Sequence, residues 1–252
     1  MYKKQDAAIR KYLGHHIIDK LLKAKVNFMV AGGACTSVFS GQPINDIDMF
    51  FASHKDAIKG VDIIRSDGYY ESKFSSPSAI SWRSEDGHKL QTIDKVFGPP
   101  KEILENFDFT VTMCALVFLP SSPLDMMGLL DEKYYSDQSY FQMDENFLYH
   151  LAERLLVWNV NGKFPIATMF RVMKYKDKGY KVTGVELIKL ALGINQLKID
   201  TYADLKEQLE GIDTAMLKSL TDKFLDKGEA DFKFNEFLTE LNEYLDKVYM
   251  EL

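Results

Sequence analysis

Cysteine is scarce in this 252-residue chain, and the two present, Cys35 and Cys114, show no metal-ligand spacing. That excludes a disulfide-stapled scaffold and a cysteine-based zinc site, and it fits free, buried thiols in a reducing compartment. No apolar run approaches the roughly 20 residues that span a bilayer as a helix. The opening residues Lys3, Lys4, Gln5 and Asp6 lead into spaced apolar positions rather than the uninterrupted stretch of a secretory signal, so the expected location is the cytoplasm, without a membrane partner. Repeats and low-complexity segments are also missing. So is an excess of positive charge: the formal net charge is −6. The acid is concentrated late. From Thr183 onward 8 lysines face 15 acidic residues, a net of −7, whereas residues 1–182 carry a net of +1. A nucleic-acid partner is therefore expected on the N-terminal two-thirds, because phosphates need cations and the acidic tail repels them. The five histidines, His15, His16, His54, His88 and His150, have no partner at ligand spacing and read as surface or hydrogen-bonded residues.

What is present is a hydrophobic fraction of 46%, ample for a core, and one informative arrangement near the N-terminus. Phe28-Met29-Val30-Ala31 reads as a strand that runs into Gly32-Gly33, and a second strand begins at Asn45-Asp46-Ile47-Asp48-Met49-Phe50-Phe51. Strand side chains alternate, so Asp46 and Asp48 share one face while Ile47 and Met49 turn to the core. Two carboxylates so placed repel each other, and a hard divalent cation relieves that repulsion through oxygen ligands. Glycines without Cβ let the backbone approach phosphate oxygens, and a helix starting there aims its N–H groups at them.

The span from Val30 to Phe51 resembles the signature of the DNA polymerase β type nucleotidyltransferase superfamily. Within it the likeness is greatest to the head domains of poly(A) polymerases and tRNA CCA-adding enzymes. Those enzymes carry Arg-Arg-Asp-Phe-Thr after a further strand; here Asn106-Phe107-Asp108-Phe109-Thr110 matches at Asp108, Phe109 and Thr110 and lacks both arginines. The Glu-Asp-x-x-Arg motif that reads ATP and CTP is absent too, and Glu153-Arg154 is no substitute. The resemblance covers roughly residues 26 to 119. It implies Mg²⁺ (or Mn²⁺) held by Asp46 and Asp48, an NTP whose triphosphate lies along Gly32 and Gly33, and Asp108 as a catalytic third carboxylate or a ribose-orienting group. On Lys89-Leu90-Gln91-Thr92-Ile93-Asp94, the position matched to the family's carboxylate holds Gln91. Asp94 is the other candidate there, on the opposite face by alternation and ranked below Asp108. The hydroxyls of Thr36 and Ser37 either cap the helix or touch triphosphate. Arg83 and Lys89 lie on flanking strands where cations contact phosphate.

Along the chain, apolar spacing predicts one amphipathic helix over residues 5–24, a strand Val26–Ala31 and a short helix Ala34–Phe39. Further elements are the strand Asp46–Ala52, a helix His54–Ser66 stopped by Asp67-Gly68, and strands Tyr69–Phe74, Ala79–Ser84 and Lys89–Val96, with a hairpin at Asp86-Gly87. A brief helix Lys101–Glu105 and an apolar strand Phe109–Leu119 follow. Beyond Ser121 the period is helical: Phe147–Val157, Pro165–Tyr175, Gly184–Leu192, Ala203–Leu209, Ala215–Leu225 and Phe234–Tyr249. The expected fold is α+β, with a nucleotidyltransferase-like head and a small mixed sheet in residues 1–120 and an α-helical body in 121–252.

The function this implies is metal-dependent transfer of a nucleoside monophosphate from an NTP to an acceptor hydroxyl, with RNA favoured. The basic and aromatic run Arg171 to Lys181 offers Arg171, Lys174 and Lys178 to phosphates and Tyr175 or Tyr180 to a base. The same run also fits a helix whose last turn carries lysines and ends at Gly179. Protein or small-molecule acceptors, and a catalytically silent nucleotide-binding protein, are the alternatives.

Overall fold

The computed structural model describes residues 2–72, 79–119, 139–209, 228 and 230–250. The chain forms two compact units, Met1–Asn159 and Val160–Leu252. The first unit opens with α1 (Lys3–Leu13) and α2 (His15–Lys23), where periodicity predicted one helix. Gly14 separates them at φ 93°, a backbone that side chains rarely adopt, and because the break falls between apolar turns it leaves the stripe intact. Ile9, Leu13, Ile17, Ile18, Leu21 and Leu22 are all buried.

β1 (Phe28–Ala31) is the central strand, buried along its whole length. It pairs antiparallel with β2 (Ile47–Phe51) and with β6 (Cys114–Phe118), which explains its continuous apolar run. α3 (Gly33–Ser40) joins β1 to β2, and α4 (His54–Ser66) follows. Ser53 caps α4 by accepting from the Asp56 N–H at 3.1 Å and donating to its carboxylate at 2.7 Å. A β-carbon on Gly60 would lie 2.3 Å from the Phe51 ring, so this glycine lets α4 settle on β2. β3 (Tyr70–Glu71), β4 (Ala79–Arg83) and β5 (Lys89–Phe97) continue the sheet, with Gly87 at φ 82° in the β4–β5 turn. The predicted strand Tyr69–Phe74 lies partly outside the described residues.

α5 (Pro100–Leu104) starts on a proline. The predicted strand Phe109–Leu119 divides into a single 3₁₀ turn, Thr110–Thr112, and β6. Thr112 donates its hydroxyl to Phe109 O at 2.7 Å and closes that turn locally, an alternative to the ladder that apolar character does not reveal. β7 (Ser139–Met143) then pairs with β6 at the sheet edge, and α6 (Phe147–Ala152) closes the unit. The head expected to end at residue 120 thus carries a strand and a helix beyond it. β7 falls where only helices were predicted, because an edge strand with half-buried, mixed side chains has a weak alternation signal. Among the described residues seven strands run in the order β3-β4-β5-β2-β1-β6-β7, with β2–β5 parallel and the other pairs antiparallel.

The second unit contains α7 (Pro165–Asp177), α8 (Gly184–Asn195), α9 (Tyr202–Leu209) and α10 (Phe234–Met250). Tyr202 and Leu205 form a small core with Ile166, Ile199, Leu209, Phe232 and Phe237. The predicted helix Ala215–Leu225 lies outside the described residues. Among the described residues no helix is long and apolar enough to cross a membrane.

Candidate functional site

The site grows out of the way β1 ends. Gly32 adopts φ 75°, ψ −130°, which glycine alone reaches without strain, and its N–H donates to Cys114 O at 3.0 Å. A β-carbon here would stand 3.3 Å from the Phe107 ring and 3.9 Å from an Asp48 carboxylate oxygen. Gly33, the first residue of α3, is exposed, with nothing within 4 Å of where its β-carbon would be. The first intrahelical bond runs from Thr36 N–H to Gly32 O, so the N–H groups of Gly33, Ala34 and Cys35 have no partner within the helix. Asp48 faces this turn. The structure therefore brings the Gly32-Gly33 backbone and the Asp48 carboxylate side by side.

Sheet register extends the site sideways. Ala31 pairs with Asp48, Asp48 with Gln91, and Gln91 with Ser81, so three polar side chains follow one another across β2, β5 and β4 on one face. The same face carries Met29, Phe50, Ala115 and Val117, which α5 covers with Ile103 and Leu104. Ile47 and Met49 alternate to the opposite side and are fully buried. Asp46 is exposed, one residue ahead of β2, and lines a depression with Ser72, Ser81, Arg83, Lys89 and Gln91. Arg83 and Lys89 are directly paired in the β4–β5 register. Asp46, Gln91 and the predicted cations Arg83 and Lys89 thus line one open hollow, while the Asp48 carboxylate faces the Gly32 turn.

No third carboxylate joins them: among the described residues there is no group of three or more His, Cys, Asp or Glu side chains that could hold a metal ion. Gln91 donates instead to the Ser81 hydroxyl at 3.3 Å. Asp94 is exposed and sits in the irregular stretch of β5 past Thr92, with the opposite alternation to Gln91. Asp108 is buried in the bend after α5. A residue outside the sequence reading, Asn159, holds that bend: its side-chain amide donates to Glu105 O and Phe107 O, and its backbone N–H to Asp108 O, all at 2.8 Å. The Phe107 ring so fixed packs on Phe50 and against Gly32. Thr110 is tied to the His150 ring at 2.7 Å, a further contact that no spacing announced.

Thr36 is turned inward. Its hydroxyl lies 2.7 Å from Val111 O and 3.2 Å from Gly32 O, binding α3 to the 3₁₀ turn rather than facing solvent. Ser37 is half-buried on the next position of α3. Arg171, Lys174, Tyr175 and Lys178 lie on and just beyond α7 in the second unit. There the Lys178 ammonium sits 5.2 Å from the Tyr175 ring centre, and Tyr175 meets Tyr180 edge to face. Gly179 at φ 84°, with Gly179 N–H donating to Lys176 O and Tyr180 N–H to Tyr175 O, forms the glycine stop the sequence foresaw.

The fold of the chain resembles known structures over most of its length. A CCA-adding enzyme in complex with CTP aligns at a TM-score of 0.54 with 14% identity, covering 87% of this chain and 54% of the other. The Thermotoga maritima CCA-adding enzyme complexed with tRNA aligns at 0.51 with 15% identity, covering 85% and 51%. The chain has a nucleotidyltransferase-type fold. Residues 1–154 match the Gabija anti-defense 2 (Gad2) family, and the chain belongs to that family. A protein of Bacillus phage SPbetaL7 described as Gabija anti-defense 2 is 30% identical over 242 residues, 95% of this chain. The chain spans about half, 54%, of that curated relative's length.

Proposed function

We propose that this chain is a metal-dependent nucleotidyltransferase that moves a nucleoside monophosphate from an NTP to an acceptor hydroxyl. The observation that carries the proposal is the Asp48 carboxylate beside the Gly32-Gly33 turn, 3.9 Å from the missing β-carbon of Gly32. The donor set suits the cation: Mg²⁺ is ordinarily held by one or two carboxylates together with substrate phosphates and water, so Asp46 and Asp48 suffice without a third acid. When bound, the ion would acidify the attacking hydroxyl and offset charge on the triphosphate. Asp46 and Asp48 would hold it. The N–H groups that open α3 would receive phosphate oxygens, Gly33 leaving them room, and Arg83 and Lys89 would pair with the same triphosphate. Ser37 stands next on that helix. Asp108, buried in the bend after α5, is assigned to orienting the ribose. The acceptor hydroxyl gives up its proton to solvent as its oxygen attacks the α-phosphorus in line, the new P–O ester forms as the α–β P–O bond breaks, and pyrophosphate leaves with that electron pair.

RNA is the favoured acceptor, supported by the basic run on α7 and by a structural neighbour that was solved with tRNA. The family description, an anti-defense protein, favours a second reading in which the acceptor is a protein side chain of a defence system. Incubation with α-labelled NTPs, Mg²⁺ or Mn²⁺, total RNA and host protein separates them. Labelled RNA supports the first and labelled protein bands the second. Transfer that survives Asp46→Asn and Asp48→Asn removes the metal assignment. NTP binding indifferent to Mg²⁺, with no transfer, leaves a silent nucleotide-binding protein.

A further inference from the structure

The hydroxyl of Tyr12, on α1, joins two segments that carry the proposed site. It donates to Asn45 O at 2.8 Å and accepts from the Lys89 N–H at 3.1 Å. Asn45 immediately precedes Asp46, and Lys89 opens β5 two residues before Gln91. The β2–β5 ladder begins only at Ile47 and Leu90, so this phenol spans the two strands just ahead of their first register pair. Its ring stacks on His88, centroids 4.4 Å apart and planes 18° from parallel, and its helix is anchored by buried Ile9 and Leu13. Burial pushes the phenol's pKa upward, the Lys89 N–H bond opposes it and the Asp46 charge adds a smaller push in the same direction as burial.

We infer that Tyr12 is a positioning residue: it fixes Asp46 against Lys89 and thereby sets the affinity of the Asp46–Asp48 pair for a divalent cation with its nucleotide. The inference rests on the function proposed above. Asp46 is exposed and lies outside the strand, so the ladder that orients Asp48 does not reach it. Tyr12 supplies that restraint from a rigid helix, ordered before any ligand arrives.

The test compares the full chain with Tyr12→Phe, which removes the hydroxyl and keeps the ring, and with His88→Ala, which removes the stack and keeps the hydroxyl. Amide exchange at Lys89, Mn²⁺ titration with a non-hydrolysable ATP analogue, and turnover at saturating metal are the readouts. Tyr12→Phe is expected to speed Lys89 exchange about tenfold and to weaken Mn²⁺ binding about fivefold to tenfold, with saturating turnover kept within about twofold. His88→Ala is expected to bind Mn²⁺ like the parent. Equal weakening in both variants makes Tyr12 a packing residue and overturns the inference. Unchanged Mn²⁺ affinity in Tyr12→Phe, where Asp48→Asn abolishes it, overturns the inference and leaves the proposed function standing. A parent that binds no Mn²⁺–nucleotide overturns both, and its own titration reveals that before any variant is compared.

Discussion

Gln91 stands directly across from Asp48 on the parallel neighbour of β2. Parallel strands lie about 4.8 Å apart, so a carboxylate at this position would reach the ligands that Asp48 reaches. Gln91→Glu adds a charged oxygen donor with almost no change of volume. It is expected to tighten Mn²⁺ binding about tenfold in a calorimetric titration with an ATP analogue. Unchanged affinity would place the cation away from this strand pair.

The two glycines separate folding from binding. Gly32→Ala forces a side chain into a backbone reserved for glycine and onto Phe107, at about 1–3 kcal/mol, so the melting temperature falls by several degrees. Gly33→Ala adds a methyl group to open space in the first turn of α3, and stability is expected to change by less than about 0.5 kcal/mol. Its NTP affinity should nonetheless fall about tenfold, because the methyl group crowds phosphate oxygens at the helix start. Full NTP affinity in Gly33→Ala would contradict the phosphate role of this turn.

The turn at Gly32-Gly33 and the strand that carries Asp48 were legible in the sequence because each follows from a local constraint, a turn without Cβ and alternation on a strand, whereas Asp46, expected on that strand, lies one residue ahead of it. Helix His54–Ser66 was legible for the same reason, since Asp67-Gly68 marks its end. The contacts that order the site were not. Tyr12 reaches Lys89 across 77 positions, and Asn159 reaches Glu105 and Phe107 across more than 50, with no periodicity linking them. Gly14 split a helix whose apolar stripe passes straight through it, and Thr36, readable as a hydroxyl for phosphate, was claimed by Val111 O.

Tyr69 makes the head sensitive to alkali. Burial first, then the neighbouring Tyr12, Asp67 and Asp86, push its phenol from 10.0 up to about 12, against a smaller opposing hydrogen bond from Ser84. A raised folded-state pKa means that the stabilisation is complete below pH 10 and is lost as pH rises toward 12, where the unfolded chain ionises first. Thermal melts between about pH 9 and 12, read with phenolate absorbance, should show a steeper loss in the parent than in Tyr69→Phe. Parallel curves would contradict it.

RNA recognition by the second unit predicts a charge effect on α7. Arg171→Ala with Lys174→Ala is expected to weaken RNA binding about tenfold at low salt and to lower the salt-dependence slope by about 2. A filter-binding series across salt concentrations reads both. Unaltered slope and affinity would take the RNA contact off this helix.

The central claim is that Asp46 and Asp48 hold a divalent cation against a triphosphate lying on the Gly32-Gly33 turn. Crystals soaked with Mn²⁺ and a non-hydrolysable NTP test it most directly through the anomalous signal of the metal. The account predicts a manganese peak bridging both carboxylates and the phosphates, with the β- and γ-phosphates at the start of α3. A nucleotide bound elsewhere, or phosphates on that turn with no metal at the aspartates, would contradict it.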